Sequence, residues 1–174
     1  MRPIRHFLNS SAVCGLAVLM MAAAGPAAHG AEKTLYSFGG GDDGLYARGT
    51  LIADSGGNLY GVTSGGGGGT GCDDGNDGCG TVFKLAPDRT ETVLYAFQGG
   101  SDGAYPGVGL TADTTGDFYG TTSQGGTNNR GTIFELSASG TETVLYAFQS
   151  GADGVEPAGP MRHSWRQLLL DFRR

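Results

Sequence analysis

The chain has 174 residues, 34 of them glycine, and a formal net charge of −6. That length allows one modest domain, and the acidic balance argues against binding nucleic acid or anionic lipid through bulk charge. So much glycine requires frequent tight turns.

Arg2 and Arg5 precede an apolar run from Ala12 to Ala24, and small residues follow as far as Ala28-His29-Gly30. A positive start, a short apolar middle and a small-residue exit read as a secretory signal peptide over residues 1–30. Cleavage is expected near Ala31, because Ala28 and Gly30 place small residues where the peptidase reads them. The run is too short to cross a bilayer comfortably, and no later segment is long enough. No membrane span is therefore expected once the signal is removed, an uncleaved anchor being the alternative. The chain is expected in the periplasm, outside the cell or on its surface. In that compartment the two remaining cysteines, Cys72 and Cys79, are expected to pair as a disulfide. The loop they close is small, so its entropic effect lies at the low end of the usual range.

Internal repeats organise the rest. EKTLYSF (32–38) recurs as ETVLYAF at 91–97 and again at 142–148. Each copy leads into an Asp-Gly turn: Asp43-Gly44, Asp102-Gly103 and Asp153-Gly154. GTLIAD (49–54) then matches GLTAD (109–113), GNLYGVTS (57–64) matches GDFYGTTS (116–123), and GTVFKL (80–85) matches GTIFEL (131–136). The sequence units are residues 32–90, with a cysteine-containing insertion at 65–79, then 91–141, then a partial unit at 142–160. Segments rich in Val, Leu, Tyr, Phe and Thr, separated by turns such as Asp54-Ser55-Gly56-Gly57-Asn58, are strand and hairpin signals. Alternation in TVFKL and TIFEL predicts Phe83, Leu85, Phe134 and Leu136 buried, with Lys84 and Glu135 exposed. Four strands in a unit of about 50 residues predict an all-β chain of tandem antiparallel meanders, β-propeller-like blades, with about two and a half repeats present. A β-solenoid and an open sandwich are the alternatives.

No catalytic residue emerges from this pattern. Asp54 and Asp113 are equivalent, as are Glu91 and Glu142, and Ser64 and Ser123. Catalysis needs its groups once, in one asymmetric site, whereas turns need theirs in every copy. An Asp in this position can bond backbone two residues on. The histidines are His6, His29 and His163, all outside the full units, so neither a Ser-His-Asp triad nor a Cys/His zinc site can be assembled there. The run Gly65–Gly69 lacks the Gly-Lys-Ser/Thr of a phosphate loop. Asp73, Asp74, Asn76 and Asp77, between the cysteines, offer hard oxygen ligands of the kind calcium takes. The competing reading is a solvated acidic turn. Tyr36, Tyr60, Tyr95, Tyr119 and Tyr146 could stack on sugars, but repeated strand aromatics are more often packing between blades.

GTVFKLAP, ETVLYAF, the Asp-Gly turn, GLTAD and GDFYGTTS, in that ordered combination over residues 32 to about 159, resemble the GloVer tandem repeat of bacterial choice-of-anchor secreted proteins. The resemblance implies export, many repeats in tandem and a C-terminal surface-sorting segment. It implies no catalytic residues.

From residue 161 the repeat stops, and residues 161–174 read MRHSWRQLLLDFRR, basic and helix-leaning. Codons that encode Trp165 to Leu169 can spell Gly-Gly-Asn-Phe-Tyr when read one nucleotide later, which is the repeat's own string in register. The tail thus reads as an out-of-frame stretch of a further blade, in a truncated array. The expected function is a secreted or cell-surface structural or interaction module without catalysis. Further repeats, or other copies of the chain, are the partners that open sheets invite. The alternatives are a fragment of a propeller-type glycan-processing enzyme, which needs unrepeated paired acids in one site, and a calcium- or carbohydrate-binding module.

Overall fold

A computed structural model describes residues 32–72 and 77–149. The sheets lie in a compact unit that starts at Thr34. The signal peptide, the tail after 149, and Asp73, Asp74 and Asn76 of the calcium reading fall outside the described residues.

Among the described residues the chain is all-β apart from one 3-10 turn at Gly41–Asp43. The first sheet holds β1 (Leu45–Ala53), β2 (Leu59–Gly65), β3 (Thr81–Leu85) and β4 (Glu91–Ala96), in that spatial order and antiparallel throughout. The second repeats it. There the first strand is split at residues 107–110 into β5 (Ala104–Pro106) and β6 (Thr111–Ala112), both paired to β7 (Phe118–Gln124). β8 (Thr132–Leu136) and β9 (Glu142–Ala147) complete the meander. These are two propeller-like blades that do not close into a ring. The break falls where β1 also loses register, between Arg48 and Ile52.

The sheets and the sequence units are out of phase by one strand. ETVLYAF, read as the start of a unit, supplies the fourth strand of the sheet before it: Val93 sits opposite Phe83, and Val144 opposite Phe134. A tandem period has no origin of its own, so the repeat could not reveal where a sheet starts. The first copy, EKTLYSF, has no sheet before it among the described residues, and its residues 34–38 form no strand.

Phe83, Leu85, Phe134 and Leu136 are buried, as the alternation requires. Lys84 and Glu135 are half-buried rather than exposed. Each lies on the second face of a β3-type strand, opposite Thr92 and Thr143 of the next strand. That second face also carries the buried Val82 and Ile133, so it is partly covered.

The main core lies between the two sheets and draws on both: Val62, Val82 and Phe97 from the first side, Ala104, Leu110, Phe118, Phe134 and Leu136 from the second. Ring pairs bridge the seam, Tyr60 on Phe118 at 4.7 Å and Phe97 on Phe134 at 5.1 Å. Backbone also crosses it. Tyr105 N–H donates to the Cys79 carbonyl at 2.8 Å, and Thr50 bridges Gly109 in parallel. Cys72 and Cys79 are joined by a disulfide, with Cα atoms 5.6 Å apart. It pins the insertion beside the start of β3, where Cys79 is fully buried.

Candidate functional site

The repeated polar residues fall into three kinds of cluster. In the turn after β1, Asp54 Oδ1 accepts from the N–H groups of Gly56 (2.8 Å) and Asn58 (2.9 Å), while Oδ2 accepts from the Asn58 amide and the Tyr60 hydroxyl. Asp113 repeats the arrangement with the N–H groups of Thr115 and Asp117 and with Tyr119. These are the turn bonds expected from sequence. The donors, led by the Asn58 side chain, hold the Asp54 carboxyl down to about 2. At Asp113 burial pushes upward, but the bonds from Thr115, Asp117 and Tyr119 outweigh it and the carboxyl is lowered.

The second cluster sits under the Asp-Gly turns. Thr63 and Thr81 share a hydroxyl–hydroxyl bond of 2.7 Å, and Thr122 and Thr132 one of 2.8 Å, all four side chains being buried. Gly44 and Gly103 lie against these pairs at φ values of 102° and 105°. A Cβ on Gly103 would stand 2.5 Å from Thr122 Oγ1. The glycine of both described Asp-Gly turns is therefore required twice, by backbone conformation and by space.

The third cluster was not foreseen as a unit. Tyr36 donates to Asp43 Oδ2 at 3.0 Å, as does the Gly39 N–H at 3.1 Å. Tyr95 and the Gln98 N–H donate to Asp102 Oδ2, both at 2.9 Å. The other carboxylate oxygen of each aspartate is buried without a hydrogen-bond partner, and so is Oε1 of Glu91 and of Glu142. Glu91 opens β4, against which the 3-10 turn carrying Asp43 packs. Glu142 opens β9 and feels the charge of Asp102. Burial first, and the facing aspartate second, push both glutamates upward, Glu142 to about 7. Tyr95 is also raised, by burial and then by its bond to Asp102. Sequence reading took Glu91 and Glu142 as structural residues and did not join them to Asp43 and Asp102. Each pair spans two sequence units, 48 and 40 positions apart, and the difference of eight is the extra length between Ser64 and Gly80.

This arrangement sets a pH dependence. A carboxyl with an ordinary value of 4.5 that is held near 7 in the folded chain binds its proton more tightly when folded. The stability Glu142 contributes is fully present below about 4.5 and is lost as pH rises through about 7. Asp54 acts in the opposite sense, with stability present above 3.8 and lost as pH falls toward 2. Urea midpoints are thus expected to peak on the acid side of neutrality, and Glu142→Gln should flatten the decline between pH 5 and 8. An unchanged slope in that variant would remove the pair as its source.

Of the other residues singled out, Ser64 and Ser123 bond the carbonyls of Tyr46 and Tyr105, whose backbones both take positive φ. Asp77 is exposed. Tyr36, Tyr60, Tyr95 and Tyr119 turn their hydroxyls onto turn aspartates. No helix among the described residues is long and apolar enough to cross a membrane.

No curated protein and no solved structure matches the chain. The family description that does match is the Gloeobacter/Verrucomicrobia repeat, over residues 22–168. That span contains both sheets and all three clusters in each copy, so the chain belongs to the Gloeobacter/Verrucomicrobia repeat family.

Proposed function

We propose that the chain is an exported structural or interaction module that works by presenting repeat surfaces and carries no chemistry of its own. The observation that carries this reading is duplication. Asp54 and Asp113, Thr63 and Thr122, and Asp43 and Asp102 each appear in the same bonds in both sheets. Groups used identically in every copy serve the stacking of copies. The disulfide favours an oxidising compartment.

One observation favours the glycan-processing alternative: Glu142 is a raised carboxyl beside a second carboxylate, the pairing an acid catalyst uses. Against it, the pair recurs at Glu91 and Asp43, and the oxygens concerned are buried in both copies.

Cell fractionation with N-terminal sequencing, combined with incubation of the purified chain on a polysaccharide panel, tests the reading. An exported chain that starts near Ala31 and releases no reducing ends is expected. Cytoplasmic protein that retains Met1, or turnover abolished by Glu142→Gln, would contradict it.

A further inference from the structure

The two sheets occupy unequal environments although their sequences match. Leu110 of the second sheet is 5% exposed, whereas the equivalent Leu51 of the first is 51% exposed. Phe118 is buried and its counterpart Leu59 only half-buried; Pro106 is buried and its counterpart Ala47 exposed. Tyr46, at 58%, is far more open than the half-buried Tyr105. The cause is the seam. Strands β1 to β3 of the first sheet supply Ile52, Tyr60, Val62 and Val82, which cover Leu110 and Phe118 from one side. Nothing described covers Leu51 in that way.

Residues 34–38 complete the pattern. Phe38 packs edge-on against Phe83 at 4.9 Å, as Phe97 does against Phe134 at 5.1 Å. Tyr36 bonds Asp43 as Tyr95 bonds Asp102. The segment is therefore seated where the fourth strand of a preceding sheet belongs. Its sister copies β4 and β9 are each paired to a TVFKL-type strand, while residues 34–38 pair with no described strand, and Leu35 is 45% exposed.

We infer that residues 34–38, together with Leu45, Tyr46 and Leu51, form a docking site for a three-stranded antiparallel meander of this same repeat type, contributed by another polypeptide. The incoming meander ends in a Gly-Thr-Val/Ile-Phe-x-Leu strand and takes residues 34–38 as its own fourth strand. Its apolar face covers Leu51 as the first sheet covers Leu110. Main-chain hydrogen bonds supply affinity, and the alternating pockets supply selectivity for repeats over unrelated strands. The site rests on the reading of the chain as an interaction module and names its partner.

A probe consisting of residues 39–141, which keeps the first sheet and the seam core and carries β5 to β8 without a fourth strand, tests the site against the full chain by calorimetry. Saturable one-to-one binding is expected. Leu51→Asp and Leu35→Asp should each weaken it at least tenfold, while Ser55→Lys, in the exposed turn after β1, should leave it unchanged. Both leucines are exposed in the free chain, so thermal melting should show that these variants fold as the parent does. Absence of binding to the folded parent, or binding indifferent to both leucine variants, would overturn the site. The module reading falls on different results, turnover or cytoplasmic retention.

Discussion

Phe134→Ala is expected to lower the free energy of unfolding by about 3–5 kcal/mol, the range for truncating a fully buried aromatic. Phe134 is 0% exposed, packs edge-on against Phe97 across the seam, and fills the space that the absent side chain of Gly120 leaves open, where a Cβ would stand 2.5 Å from its ring. Little around it can collapse into the cavity, because β7 and β9 hold it on both sides within one sheet. Phe83→Ala removes the equivalent ring from the first sheet, but there the covering group is Phe38, from a half-buried segment that belongs to no strand. That segment can follow the lost ring, so the smaller loss is expected at Phe83. Urea denaturation of the two variants gives the comparison directly. A Phe83→Ala loss equal to or larger than that of Phe134→Ala would mean that the seam is not the principal core.

Gly103→Ala is expected to cost roughly 3 kcal/mol, combining strain at a backbone position that L-residues avoid with overpacking. Its φ is 105°, and a Cβ would meet Thr122 Oγ1, Thr122 Cγ2 and Thr132 Oγ1 at 2.5, 2.7 and 2.8 Å. Those hydroxyls cannot retreat without breaking their mutual bond and the bond from Thr132 N–H to Thr122 Oγ1. Gly100 supplies the control. It also has positive φ, 69°, but a Cβ there meets nothing within 4 Å, so Gly100→Ala should show the strain component alone. Equal losses at the two positions would show that backbone conformation, and not the threonine pair, fixes the glycine.

Much of this fold is legible in the amino-acid sequence because strand signals have period two and turn signals are chemical. TVFKL and TIFEL announce which residues face the core, and Asp54-Ser55-Gly56-Gly57-Asn58 announces its turn. Cys72 and Cys79, the two cysteines outside the expected signal peptide, have one pairing available. The phase of the sheets was not legible, since ETVLYAF is equally periodic as a first or a fourth strand and only its partner decides. The half-burial of Lys84 and Glu135 was hidden for a related reason, because alternation identifies a polar face without saying what lies over it. The Asp43–Glu91 and Asp102–Glu142 pairs were hidden by distance along the chain. Each member looks like an ordinary turn or strand-end residue, and only the stacking of successive units brings them together. The open face at Leu51 was likewise invisible, because Leu51 and Leu110 are the same residue in matching strings.

The claim on which the rest depends is that one heptapeptide has different fates according to whether a sheet precedes it. Amide hydrogen exchange on the intact chain measures this most directly, because the second and third copies are identical and the first differs from them only at Lys33, Thr34 and Ser37. Residues 91–96 and 142–147 lie in ladders with β3 and β8, so the alternate amides directed at those strands should be protected to the level of global unfolding. Residues 34–38 should exchange orders of magnitude faster, as backbone outside a ladder does. Equal protection in all three copies would contradict the account, since the first copy would then already have the strand partner that the open face is said to await.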